Sequence, residues 1–354
     1  MASMPTSMFP KLRLIRKATG LLVAFALCRA CCAADAVYLV PAAGAQARPK
    51  LTGRIVDYNG RELLIDISGV EKRYPAEQVA EVETELTPTH LAADELFARR
   101  EYAAAVPKYE QAMRGESRRW VQRRIVAQMI WGLRNMGQYR RAGELFLALA
   151  RDDPAMLYDA CIPLAWVPAQ PAPDLEKKSQ EWLKSDAAWA VLIGASHLLS
   201  TGERSEAVKR LERLSDDKDP RIASLARALV WNATYVSATP AQLAAWSDEI
   251  ETFPPSVRAG PYFVLGRALA QHKQFEDAAL NLLRVQMLYP QDRLLATAAS
   301  YEAGRSLEGA GTADAAVRIY RELIASDPQS RPATEAQGRL KALEANRTTD
   351  KAGG

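Results

Sequence analysis

From about residue 87 almost to the C-terminus, apolar residues recur at three- and four-residue spacing, broken at intervals by Gly, Asp and Pro. That periodicity predicts a nearly all-helical region. Upstream the pattern changes. Between Arg48 and Thr84, short β-rich runs at Leu51–Val56, Glu62–Ile67, Glu71–Tyr74 and Val79–Val82 are separated by Asn59-Gly60 and Ser68-Gly69. Such dipeptides suit hairpin turns with positive φ, so a meander of four or five strands is expected.

A sheet this small is marginal alone, and it is expected to curl into an SH3-like or Sm-like barrel or to dock on the helical region after it. Ahead of it, the basic stretch Lys11–Lys17 precedes a short apolar run, Ala18–Cys28, and then small residues. This is the order of a secretory signal, and the run is too short to span a bilayer as a helix. Ala34-Asp35-Ala36 offers a small-x-small cleavage pattern, which places maturation near Val37, with cleavage after Ala34 as the alternative. Lipidation at Cys28 or Cys31 is the weaker reading, because neither follows a Leu-small-small sequence. The expected setting is periplasmic.

Within the helical region one spacing repeats. "GQYRRAGELFLALARDDP" places Tyr139, Ala142, Phe146 and Pro154 after a Gly, and related spacings occur around Ala105, Ala207, Ala278 and Ala316. These five alanines fit a period of about 35 residues, with two slots unfilled. The unfilled slots, Ala155–Asp186 and Arg221–Phe253, read as degenerate hairpins. The first would begin with a helix over "AMLYDACIPLAWV", and the second carries Thr239-Pro240 as a helix cap.

Tyr262, Leu265, Gly266, Phe275, Ala278 and Pro290, followed by Gly304, Gly311, Ala316, Tyr320 and Pro328, resemble tetratricopeptide repeats (TPR). The resemblance implies a mainly α fold: a right-handed TPR-like α-solenoid of about six or seven helical hairpins, two degenerate, preceded by the small SH3-like/Sm-like β module. The organisation expected is a signal peptide at 1–36, the β module at 48–84, the solenoid at 87–330, a capping helix at 331–346 and a disordered tail at 347–354. The last hundred residues are similar to terminal repeats of bacterial envelope proteins of the Tol-Pal coordinator and outer-membrane assembly type.

The composition narrows the function. The net charge of +4 comes entirely from residues 1–36, which hold five basic side chains against one acidic. The remainder is formally neutral, which removes the compositional case for nucleic acid. Three of the four Cys lie in the same segment, leaving Cys161 without a disulfide partner. His90, His197 and His272 are isolated, and no metal, phosphate-loop or nucleophile motif occurs, so no enzyme activity, cofactor or metal is expected.

Twelve Lys and Arg against four Glu fall between Arg99 and Arg151. Either an acidic partner or pairing with acidic residues elsewhere in the chain accounts for them. With Ala142 fixing the register, the resemblance places Arg124, Gln128, Trp131, Arg134 and Asn135 in a concave groove, together with Phe263, Arg267, Tyr301 and Arg305. The function expected is a non-enzymatic scaffold that holds a protein or peptide, acidic by this reading, in the cell envelope. A self-associating structural protein is the alternative, and an enzyme accessory subunit a more remote one; contact with the membrane would come through the signal segment or the partner.

Overall fold

The computed structural model describes residues 34–41 and 47–352, with side chains described as far as residue 345. Most of the expected signal segment therefore lies outside the described residues. The chain divides into two compact units, Met1–Gly132 with Ala148–Asp159, and Leu133–Leu147 with Ala160–Gly354.

The first unit opens with β1 (Asp35–Leu39), β2 (Lys50–Tyr58), β3 (Glu62–Ile67), β4 (Val70–Pro75) and, after a 3-10 turn at Ala76–Gln78, β5 (Val79–Glu83). All neighbours are antiparallel, in the order β4-β3-β2-β1-β5. The first strand thus returns to pair with the last, as in the SH3-like module expected. Strand alternation buries Val37, Ile55, Leu63, Ile65 and Val82 on one face.

Two details differ from the sequence reading. Strand β1 starts at Asp35, inside the segment assigned to the signal; the Asp35 carboxylate accepts from Ile55 N (2.7 Å) and Thr84 Oγ1 (2.5 Å). Ser68 and Gly69 take the expected positive φ, 57° and 85°, whereas Asn59 and Gly60 do not. The Asn59 side chain instead closes the turn by accepting from Arg61 N and Glu62 N. Gly60 is needed for close approach, since a Cβ there would lie 2.4 Å from the Ala155 backbone.

Helices α1 (Pro88–Ala98) and α2 (Tyr102–Gly115) come next as a hairpin, followed by α3 (Arg119–Asn135) and α4 (Tyr139–Asp152), of which Leu133–Leu147, the end of α3 and most of α4, belongs to the second unit. The sheet docks on them. Arg123 donates to Asp57 Oδ1 (2.8 Å), Tyr58 O (3.1 Å) and Asp152 Oδ2 (2.7 Å), and Gly60 N donates to Asp153 Oδ2 (2.9 Å). Arg123 is buried, so these charges compensate one another where water does not.

In the second unit come α5 (Pro173–Leu183), α6 (Ala188–Leu198), α7 (Arg204–Leu214), α8 (Pro220–Thr234), α9 (Pro240–Ile250), α10 (Ala259–Gln271), α11 (Phe275–Leu288), α12 (Arg293–Gly309), α13 (Ala313–Ser326) and α14 (Arg331–Ala352). They form the helical repeat array of a TPR-like fold. The five repeat-defining alanines, Ala105, Ala142, Ala207, Ala278 and Ala316, all sit on second helices and are fully buried. Large side chains one turn on, Tyr109, Phe146, Leu211, Leu282 and Tyr320, are equally buried. In the degenerate slot at 221–253 the hairpin α8/α9 survives with a different filling: Trp231 stacks on Trp246 at 4.9 Å between centroids, and on Phe253 at 5.7 Å. Thr239 caps α9 as expected, with Gln242 completing a capping box.

The other degenerate slot does not form a hairpin. "AMLYDACIPLAWV" contains only a 3-10 turn at Asp159–Cys161, and the chain then runs extended to Ala172 before α5. Pro163, Pro168, Pro171 and Pro173 deny the segment helical hydrogen bonds and push each preceding residue out of the α region. An extended strap thus stands where a first helix was expected. At the other end, α14 continues to Ala352 through the stretch expected as a tail, because residues 346–352 contain no Gly or Pro.

Candidate partner-binding groove

First helices of successive repeats lie side by side in the second unit, α6 beside α8, α8 beside α10 and α10 beside α12. A cleft of about 960 Å³ opens against them. Its walls include the turn at Gly137–Arg141, the strap from Leu164 to Ala172, His197, Phe263 and Arg267, and residues of α12 and α14.

The nine residues expected in the groove separate. Arg134, Phe263, Arg267 and Tyr301 all line this cleft. Arg124, Gln128 and Trp131 belong to the first unit and Asn135 to the second. Trp131 is buried as packing. Arg305 is exposed, 3.9 Å from Glu302 and not among the cleft-lining residues.

The basic excess between Arg99 and Arg151 is largely met by carboxylates. From outside that stretch, Asp94 faces Arg124 (3.4 Å), Asp152 pairs with Arg119 and Arg123, and Asp174 faces Arg140 (3.2 Å). Arg134, with a side chain 5% exposed, donates to Asp292 Oδ2 at 2.5 Å. Pairing within the chain therefore uses much of the charge that had pointed to an acidic partner. The cleft itself carries Glu302 and Glu335 as well as Arg267 and Arg331.

The strap is held by residues the sequence did not single out as binding groups. His197 on α6 donates through Nε2 to Pro163 O (3.1 Å), and its neighbour Ser196 accepts from Ala165 N (3.2 Å). Asn232 on α8 donates through Nδ2 to Trp166 O (3.2 Å). The Trp166 ring lies on Gly260 of α10, where a Cβ would come within 2.0 Å of it. One signal pointed here: the density of Pro between 163 and 173.

Burial drives the pKa of His197 down to about 4; the Pro163 carbonyl opposes this and Arg134 adds to it. The imidazole is thus neutral and a hydrogen-bond donor at neutral pH. His90 in the first unit is also shifted down by burial, against Asp94. Among the described residues no group of three or more His, Cys, Asp or Glu is placed to hold a metal ion, and no helix is long and apolar enough to cross a membrane. Cys161 is buried.

Residues 97–168 match the tetratrico peptide repeat family. The match runs from the end of α1 through α2, α3 and α4 into the strap. Such repeats generally mediate protein–protein interaction, and no enzyme family is indicated. The chain matches no curated protein.

Proposed function

We propose that this protein is an exported, non-catalytic scaffold that holds an extended segment of a partner protein in the cleft of its second unit. The observation that carries the reading is the cleft itself: about 960 Å³ walled by first helices of repeats and lined by Arg134, Phe263, Arg267 and Tyr301. It combines aromatic faces, charges of both signs and backbone edges, the mix that orients a peptide. An envelope setting is supported by the basic-then-apolar N-terminal sequence and by the similarity of the last repeats to envelope proteins. The placement of β1 favours cleavage after Ala34, since cleavage after Ala36 would remove Asp35 and its two hydrogen bonds.

Site-specific photocrosslinking in the host tests the reading. A crosslinker at Glu302, on the cleft wall, is expected to give a discrete protein adduct, and one at exposed Glu322 of α13 is not. Equal labelling from both positions, or none from Glu302, overturns it.

Self-association is a second reading with its own observation. Leu280, Met287 and Leu288 leave an exposed apolar stripe on α11, with Met287 75% accessible. A concentration-dependent oligomer in sedimentation, lost in Met287→Lys, would favour it.

A further inference from the structure

The groove across α6, α8 and α10 already holds a peptide, and the peptide is the chain's own. Between Ile162 and Pro173 there is no charged residue, and Pro163, Pro168 and Pro171 keep the segment extended. Helix and sheet ladders do not hold it. Side chains do: His197 and Ser196 from α6 and Asn232 from α8 bind its backbone at Pro163, Ala165 and Trp166, and Gly260 of α10 receives the one aromatic ring.

The groove's polar capacity exceeds what the strap uses. Asn232 Oδ1 and Arg267 Nη1 are buried and find no hydrogen-bond partner among the described residues. An unmet buried group of this kind costs stability, so an occupant that satisfies it is favoured over one that does not. Beyond Trp166 the strap is loosely held: Val167, Pro168, Ala169 and Gln170 are exposed.

We propose that this groove is a recognition site for an extended, uncharged segment bearing one aromatic side chain, and that Ile162–Gln170 is a resident occupant which a partner segment of that chemistry displaces. The inference rests on reading the second unit as partner-binding, and it names the partner's chemistry. Backbone contacts make the site tolerant of sequence. The Gly260 pocket makes it selective for the ring.

The test uses a fluorescent peptide with the sequence of Ile162–Ala172, titrated into the full chain. A resident occupant lowers apparent affinity by the fraction of grooves it leaves open. Trp166→Ala loosens the strap, so the peptide is expected to bind that variant at least about tenfold more tightly than wild type. Adding Gly260→Leu, which fills the ring's seat, should abolish the gain. No binding to Trp166→Ala with native helicity, or equal binding after Gly260→Leu, overturns the proposal. If Trp166→Ala does not fold, a protease site inserted between exposed Ala169 and Gln170 is cut in the folded protein; uptake of labelled peptide supports the proposal, and its absence overturns it. Crosslinking at Glu302 is read independently. An adduct there with no peptide uptake removes the strap proposal alone, and loss of both removes the parent reading.

Discussion

His197 shows how much one buried side chain fixes. It joins the strap to α6, packs edge-on against Tyr139 at 4.9 Å, and is held neutral by burial. Its pKa of about 4 in the folded chain lies below the ordinary 6.5, so between these values the unfolded chain takes up the proton more readily. Stability is therefore fully present above about pH 6.5 and falls as pH drops toward 4, by up to about 3 kcal/mol from this residue. His90, also shifted down by burial, acts in the same direction. Urea midpoints measured from pH 7 to 4 should fall more steeply for wild type than for His197→Gln, which keeps a donor and does not titrate in this range. Nothing in the sequence around His197 announced this role, because the carbonyl it serves lies 34 residues away.

Among the elements, the hairpin turns share a left-handed residue, strained only where it is not Gly. Arg100, Gly137, Lys273 and Gly311 all have positive φ, between 61° and 76°, each just after a first helix. In each turn the next amide donates to a carbonyl five residues back at 2.9 Å, as in Glu101 N to Leu96 O and Gln274 N to Leu269 O. Gly suits that conformation and Arg or Lys does not. Lys273→Gly should therefore raise stability by about 1 kcal/mol, seen as a higher Tm, while Gly311→Lys should lower it. The turns were legible because the Gly-aromatic-Ala spacing repeats, and so were the buried alanines, whose burial is imposed by neighbouring helices at a fixed period. The strap was not. In the stretch expected as a helix, Leu157, Cys161, Leu164 and Ala165 keep a helical spacing, and Pro163 within it and Pro168 just after it overrule that spacing. The groove residues were legible in part for the same reason: register places a side chain on a helix face, but ion pairs such as Arg134 with Asp292, 158 residues apart, depend on tertiary packing.

At the level of the whole molecule, the β module is part of the first unit and not an appendage. Arg123 binds Asp57, Tyr58 and Asp152 together, and Asp153 holds Gly60. Replacing Arg123 with Met should leave both carboxylates without their buried cation and cost about 3 kcal/mol. The measurement is hydrogen exchange of β2 and β3 amides, which should speed up with that loss, whereas exchange in α12 and α13 should not. The sheet itself was legible in four of its strands. Strand β1 escaped because small, apolar residues after a leader read as cleavage site and strand alike, and the pairing that distinguishes them joins residues such as Val37 and Val82, far apart in sequence.

That pairing also sets an order of assembly. Strand β1, the first of the described strands, lies between β2 and β5, so a chain emerging N-terminus first cannot seal its sheet until Glu83 has emerged. Until then β1 offers an open edge to other chains. The β1–β5 seam is therefore the last in the sheet to close.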